Sequence, residues 1–597
     1  MSWRYYLLLF CLLTGITVLY GSQTEKISPK EYSVELYGDR GLEQKNICVV
    51  KKRKPIWEQL TRDNTRYVIK HNYNLHGQTI LVPDNSILEF RGGSLENGSL
   101  VGNFSIVSAP RQVFKNVELP LFSTHALDFR WFVGDERKIT QALLEKLPSV
   151  PIFFGHETYY SEEEIDLSGI DYIEYHDLIL HYSHSLKAYS RTIAGGLGGK
   201  KNNNNNECKY ISPNTIKTYS YSLKELEGKL ISIRTADCTL HDSRPLSKDT
   251  ETNTKGNPTL FKGLTTVVKG IDGNIIELLD SIGSFSASRS YSYQESNRVI
   301  TNDPIYSTWA IYQPKHINYY NCEFVGTERN VGIYISGKDI IIDGCSFISN
   351  KGSDVILSIN NSRGGYIRNC TVEGAWAGGN TSTNYGIQVN SSTSIIIDRC
   401  TFRNNRRAVD FSGEFESRYC TVSRCFITGN DKEYHSGSAL GGHSTSFGNS
   451  YLNNRIEGQF QIGIQCRGEQ ELIEGNIIDA FCNGAIFATS FNTIVRNNKA
   501  YSGQWGRNHT AFHIGNYGFT STVIIEGNDI EIEDRFLHAY NPQVTSFIVR
   551  NNKIKCNQNS STQVTYIAPS GFSGVFERND ILTTEGKNKV VDIPKDK

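Results

Sequence analysis

The chain has 597 residues, of which 38% are hydrophobic and 21% charged, enough apolar material for a sizeable core and no signature of disorder over most of its length. Lys+Arg and Asp+Glu number 62 each, so the formal charge is zero; this excludes a basic footprint for nucleic acid or an anionic membrane and leaves any charged partner to a local site. With 52 glycines, a single methionine and almost no long apolar stretch at helical spacing, a β-rich, turn-rich chain is expected.

In chain order, Arg4 precedes the apolar run Tyr5 to Tyr20, and Gly21 and polar residues follow. The run is shorter than the roughly 20 residues of a membrane span, so residues 1–21 are expected to be a cleaved signal peptide, giving a secreted, periplasmic or cell-surface protein with no span after cleavage. Cys11 lies inside the run; 12 of the 13 cysteines remain beyond it, and their spacing is that of a repeat more than of a disulfide framework. Residues 22–130 read as an N-terminal module, in which 66–108 alternate in short strands broken by Gly and Asn, a small β-solenoid. Residues 131–160 are expected to hold a cap helix, from Ile139, Leu143, Leu144 and Leu147 at helical spacing, and a first coil. Residues 161–310 read as an inserted β subdomain, with the low-complexity loop GGLGGKKNNNNNE and the strands GKLISIRTADC and TTVVKGIDGNIIELLD. Cys208 and Cys238 are the pair here from which a disulfide would come.

From 311 to 590 one pattern recurs: a short apolar strand, a polar residue or two, then Cys or Asn, then another apolar residue, as in INYYNCEF, IIIDGCSF, IIIDRCTF, TIVRNNKA and FIVRNNKI. The marked positions run Cys322, Cys345, Cys370, Cys400, Cys425, Asn454, Asn476, Asn498, Asn528, Asn552 and Asn579, at intervals of 22 to 30 residues. Each interval fits one coil of a solenoid whose coils stack on their neighbours, which predicts an all-β, parallel β-helix fold. Residues 591–597 are a tail. Buried, stacked thiols without metal or disulfide chemistry are expected for the cysteines.

A second strand, GIYISG, GIQVNS, AVDFSG, SALGGH, GIQCRG, AIFATS, AFHIGN and FLHAYN, repeats between the marks. Alternation turns Tyr334, Gln388, Asp410, Gln465, Phe487, His513 and His538 outward in one column, with Ser336, Asn390, Ser412, Arg467, Thr489 and Tyr540 two residues on. Rungs about 4.8 Å apart make this a continuous exposed strip.

The cap segment, the insertion and the coil repeats, over residues 66 to 590, resemble the pectate-lyase-like right-handed parallel β-helix superfamily, which holds polysaccharide lyases, polygalacturonase-type hydrolases and tailspike-like depolymerases. LGGHSTSFGNS followed by GIQCRG is similar to the GHGxSxGS and RIK elements of polygalacturonases; the resemblance maps His443 onto that family's histidine and Arg467 near its substrate-binding arginine. The aspartate pair of those hydrolases has no counterpart, since the aligned stretch reads RRAVDFSG and leaves Asp410 alone. The resemblance implies a polysaccharide laid along one face of the helix.

Asp410, His443 and Arg467 fall on three successive coils of that face, roughly 10 Å from end to end. β-Elimination on a uronic acid polymer needs a base for the acidic proton beside the carboxylate and a cation to neutralise that carboxylate. His443 suits the base, Arg467 the carboxylate clamp and Asp410 the orienting partner. The bland alternative is a histidine after a Gly-Gly turn beside a surface ion pair. Arg407, Gln465, Gln388, Phe487, Trp505, His513, His538 and Tyr540 are the candidate substrate contacts. Arg406 and Arg407 point opposite ways in a strand, so at most one of them faces the groove. A hydrolase would need a second carboxylate, Glu469 or Glu433, beside Asp410; a third reading is a non-catalytic glycan-binding or surface scaffold. No oxygen-ligand motif for calcium is present, so no metal ligands are named and calcium dependence stays open. Oligomeric state is not encoded legibly.

Overall fold

A computed structural model describes residues 46–122, 126–194, 207–218, 226–239, 261–282, 306–376, 383–429, 435–443, 445–458, 460–481, 483–488, 492–502, 510–514, 522–532, 535–539, 546–556, 566–567 and 574–583. The expected signal peptide, the Asn-rich loop and the tail lie outside these residues. Three long parallel sheets of 16, 13 and 12 strands wrap one core, with successive coils adding strands to each in turn. Alternation fixes what goes inside: in Lys338–Asp343, Ile340 and Ile342 are buried while Ile341 is half-buried, and the partner strand repeats this with Ile367.

Left-handed residues bend each coil from the first sheet into the second. Asn321, Asn369, Arg399, Arg424, Asn453, Asn497, Asn551 and Arg578 all have φ between 52° and 56°, and Gly344, Gly475 and Gly527 take the same place in other coils. Asparagine tolerates this region best among residues with a side chain, which is why Asn and Gly dominate there. The next residue points inward, and it is the marked Cys or Asn. The cysteine thiols donate to backbone carbonyls within a coil and on the coil before: Cys370 Sγ to that of Arg368 at 3.0 Å and Cys322 Sγ to that of Tyr175 at 3.3 Å. Asparagines form a continuous ladder. Asn476 Oδ1 accepts from the backbone N and the Nδ2 of Asn454, both at 3.0 Å, and Asn476 Nδ2 donates onward to Asn498 Oδ1 at 2.9 Å. The handover falls at Cys425, whose N–H donates to Asn454 Oδ1 at 3.0 Å. Cys322, Cys345, Cys370, Cys400 and Cys425 are buried free thiols. The side chains of Cys208 and Cys238 are outside the described set.

The first half departs from the expected boundaries. Tyr172–His176, Ile179–Tyr182 and Leu186–Ala188 are coil strands, paired in register with His316–Tyr320, Glu323–Gly326 and Ile333–Ile335. The insertion therefore runs from Thr192 to Tyr312 as a separate antiparallel sheet of 7 strands, and 161–188 belong to the helix. It docks on the coil corners through polar contacts: Arg363 holds Asp280 with two 3.0 Å bonds, Thr265 Oγ1 donates to the Ser391 carbonyl at 2.7 Å, and Arg418 Nη1 donates to that of Ile282 at 2.8 Å. The cap helix is a single turn, Gln141–Leu144, started by Thr140, whose hydroxyl accepts from the Leu143 N–H, and followed by Pro148, which cannot continue it. Leu143 and Leu147 pack against both the N-terminal core and the main core, so the helical spacing reflects a plug between two cores.

Candidate functional site

The third sheet carries the strip. Register places Tyr334, Ser358, Gln388, Asp410, Gly441, Gln465, Phe487, His513 and His538 on successive strands. Two residues on, Asn360, Asn390 and Ser412 are aligned, and the ladder continues to His443, whose N–H donates to the Phe411 carbonyl at 2.8 Å. Arg467 follows Cys466, which pairs with Gly442, so it stands level with His443.

Asp410 is fully buried, although its column faces outward. Arg407 covers it, with Nη1 donating to Asp410 Oδ1 and Nη2 to Gln465 Oε1 at 3.4 Å, while its Cζ lies 5.5 Å from the Tyr385 ring centroid. The guanidinium crosses the intervening strand where Gly441 leaves a gap; a Cβ there would stand 3.3 Å from Arg407 Cζ. Gly442, the other half of the Gly-Gly pair, faces inward, and its Cβ would stand 2.9 Å from Oε1 of Glu471, a buried carboxylate that accepts from Ser446 Oγ. The two glycines thus admit an arginine on one side of the strand and a carboxylate on the other.

His443 is the most accessible of the three central groups, with a side chain 20% exposed against 5% for Arg407 and none for Asp410. Its Nε2 stands 3.4 Å from Asp410 Oδ2, and its Nδ1 faces Arg467 Nη2 at 3.0 Å. A guanidinium only donates, so Nδ1 accepts from Arg467, while Nε2 lies between Asp410 Oδ2 and, at 3.4 Å, Arg407 Nη1. Burial alone would raise the Asp410 carboxyl; the charges of His443 and Arg407 and the bond from Arg407 outweigh it and hold the group below the usual carboxylate range. Burial works against the charge of Arg407, but Asp410 and Tyr385 keep that guanidinium above its ordinary value. Arg406 is pulled down, by burial and then by the charge of Arg407.

Asp410, His443 and Arg467 are therefore together, with Arg407 and Gln465 joined to them. Arg407 lies under the surface against Asp410, not in an open groove. Gln388 is one strand before Asp410 and donates to Ser412 Oγ at 3.1 Å. Phe487 and His513 pack ring to ring at 3.8 Å, one and two strands after Gln465. His538 follows in register, with its side chain outside the described set, as are Trp505, Tyr540 and Glu433 altogether. Glu469, two residues after Arg467, is buried and pairs by backbone with Phe447. Tyr385, Gly441 and Glu471 escaped the sequence reading; Gly-Gly directly before a candidate histidine was the only signal for them. Among the described residues no group of three or more His, Cys, Asp or Glu side chains could hold a metal ion.

Residues 291–450 match the family model described as a right-handed β-helix region. No curated protein matches the chain by sequence. The Pseudomonas phage phi297 tailspike gp61 is similar in structure at 12% identity, over 74% of this chain and 68% of that one, with a TM-score of 0.45. The gp54 tailspike of Acinetobacter baumannii bacteriophage AP22, solved with a capsular saccharide, gives 12% identity, 74% and 72% coverage and a TM-score of 0.40. The alginate lyase from Paenibacillus sp. str. FPU-7 gives 11% identity over 45% of this chain and 93% of that one, at 0.27. Likenesses this distant carry no argument about activity. The family match and the strand registers together make the fold a right-handed parallel β-helix.

Proposed function

We propose that the chain is an exported or surface enzyme that cleaves an acidic polysaccharide by β-elimination at the His443 cluster. One observation carries the reading: an imidazole whose Nε2 faces a buried carboxylate and whose Nδ1 faces a guanidinium, 3.4 and 3.0 Å away, on an outward sheet face. In this reading Arg467 turns from Nδ1 to the substrate carboxylate, which lowers the cost of charge on the adjacent carbon and frees the ring nitrogen. Nδ1 then takes the proton from that carbon. The electron pair left behind forms a double bond to the next ring carbon as its bond to the glycosidic oxygen breaks, and that oxygen takes up a proton from the imidazolium or water. Asp410, held ionised by Arg407, stabilises the imidazolium while it exists.

Hydrolysis by paired carboxylates finds less support, because Asp410 is fully buried and held by Arg407. The test is incubation with acidic and neutral polysaccharides while following ultraviolet absorbance and reducing ends together. Elimination raises both. Reducing ends without absorbance would replace this reading with hydrolysis, and binding without either would make the chain a glycan-binding scaffold.

A further inference from the structure

Charge along the strip is concentrated at one place. Before the cluster, Ser358, Asn360, Gln388, Asn390 and Ser412 form a neutral shelf: Asn390 Nδ2 donates to Asn360 Oδ1 at 3.0 Å and to Gln388 Oε1 at 3.1 Å, and Ser412 Oγ donates to Asn390 Oδ1 at 2.7 Å. Asn360, Gln388 and Asn390 keep part of their surface in solvent. After the cluster the next outward side chain is the half-buried ring of Phe487. From Tyr334 to His513, the arginine on the described outward column and its neighbour is Arg467, beside the buried Arg407–Asp410 pair; Lys187, one strand before Tyr334, is paired with Glu164 at 2.7 Å.

A pyranose in an extended chain advances about as far as one rung, roughly 4.8 Å. A homopolyuronate along this strip would therefore bring a carboxylate to the face about every two or three rungs, so that some of them meet amides, hydroxyls or a phenyl ring. Carboxylates so placed lose hydration without gaining a cation, whereas sugar hydroxyls find donors and acceptors on the amide shelf and a ring face on Phe487. We infer that the preferred substrate is a heteropolysaccharide in which a single uronate is flanked by neutral sugars, the uronate at Arg467 and the neutral residues on the shelf of Gln388 and Asn390 and on Phe487. This rests on the proposed site but makes a separate claim about its neighbours.

The test uses the full chain carrying His443→Ala, so that polymer is not consumed, with gellan, which has one glucuronate among neutral sugars per repeat, and with polygalacturonate and polymannuronate. Binding of gellan should be at least about tenfold tighter, and Gln388→Ala with Asn390→Ala should remove about tenfold of that affinity, the worth of one or two hydrogen bonds, while leaving polygalacturonate binding unchanged. Gln388→Ala alone serves if the pair fails to fold by circular dichroism. Equal or tighter binding of either homopolyuronate, or indifference of gellan binding to the shelf substitutions, overturns the inference. The unsubstituted chain is followed in parallel by ultraviolet absorbance. A new double bond formed best from polygalacturonate or polymannuronate would overturn the inference and leave β-elimination standing; the expected binding preference without a double bond from gellan would keep the inference and remove β-elimination.

Discussion

Gly441 lies in register between Asp410 and Gln465, and the guanidinium of Arg407 occupies the space its side chain would take. A Cβ there would be 3.0 Å from Ser438 Oγ and 3.2 Å from the Gln465 carbonyl, so alanine fits only with small shifts and valine does not fit. Gly441→Val should displace Arg407 from Asp410 and cost about 1–3 kcal/mol in denaturant unfolding, with activity falling further than stability; Gly441→Ala should cost clearly less.

Asp410 couples the cluster to pH. Its carboxyl is held below its unfolded value, near 3.9, so its stabilising contribution is complete above about pH 4 and fades as pH falls toward the folded value. Acid unfolding should therefore be steeper below about pH 4 in the unsubstituted chain than in Asp410→Asn. At neutral pH, Asp410→Ala leaves Arg407 buried without its anion and should cost about 3–5 kcal/mol; adding Arg407→Met should return much of this. Strict additivity of the two substitutions in a double-mutant cycle would refute the coupling.

Lys315 gives a signal of the same sign in alkali. It is buried, its Nζ donates to the carbonyls of Leu167 at 2.9 Å and Ile170, and burial pulls the ammonium down to about 8. The unfolded chain keeps that proton up to about 10.4, so stability should rise with pH between about 8 and 10.4. Lys315→Met should abolish the rise and, by stranding the carbonyls of the 167–170 turn, cost about 1–3 kcal/mol at neutral pH. Parallel pH profiles for the two chains would contradict this.

The two halves of the inward ladder should respond differently to substitution. Asn498 Oδ1 accepts from the backbone N and the Nδ2 of Asn476, both at 2.9 Å, and its own Nδ2 donates to Asn528 Oδ1 and the Ile473 carbonyl, both at 3.0 Å. Asn498→Ala strands buried partners on both sides and should cost about 3 kcal/mol or more, while Cys370→Ala, which loses a small side chain with weak bonds, should cost about 1–2. Calorimetric melting of the two variants checks the ranking.

The repeat was legible because one physical constraint recurs in each coil: a left-handed bend followed by a small or amide side chain that must bond inside. Coils whose neighbours are distant in sequence were not legible. Tyr172–His176 pairs with His316–Tyr320 across the insertion, more than 140 residues away, so no local periodicity marks 161–188 as helix, and those residues read as part of the insertion. The outward column follows from alternation, but VILSIN, which brings in Ser358, lacks the glycine start of its neighbours, so the pattern does not mark it. Alternation also misleads at Arg407, the first residue of its strand, where a long side chain curls across a missing Cβ one strand away. Strand parity cannot show that.

The central claim is that His443 performs elimination with Asp410 and Arg467 on either side. Its most direct test is ultraviolet absorbance during incubation of the unsubstituted chain, His443→Ala and Arg467→Ala with an acidic heteropolysaccharide, each variant confirmed folded by circular dichroism. A rising absorbance in the unsubstituted chain, lost by at least about a hundredfold in both variants, is the predicted result. Undiminished absorbance in both variants, or bond cleavage by the unsubstituted chain with no absorbance at all, would contradict the account.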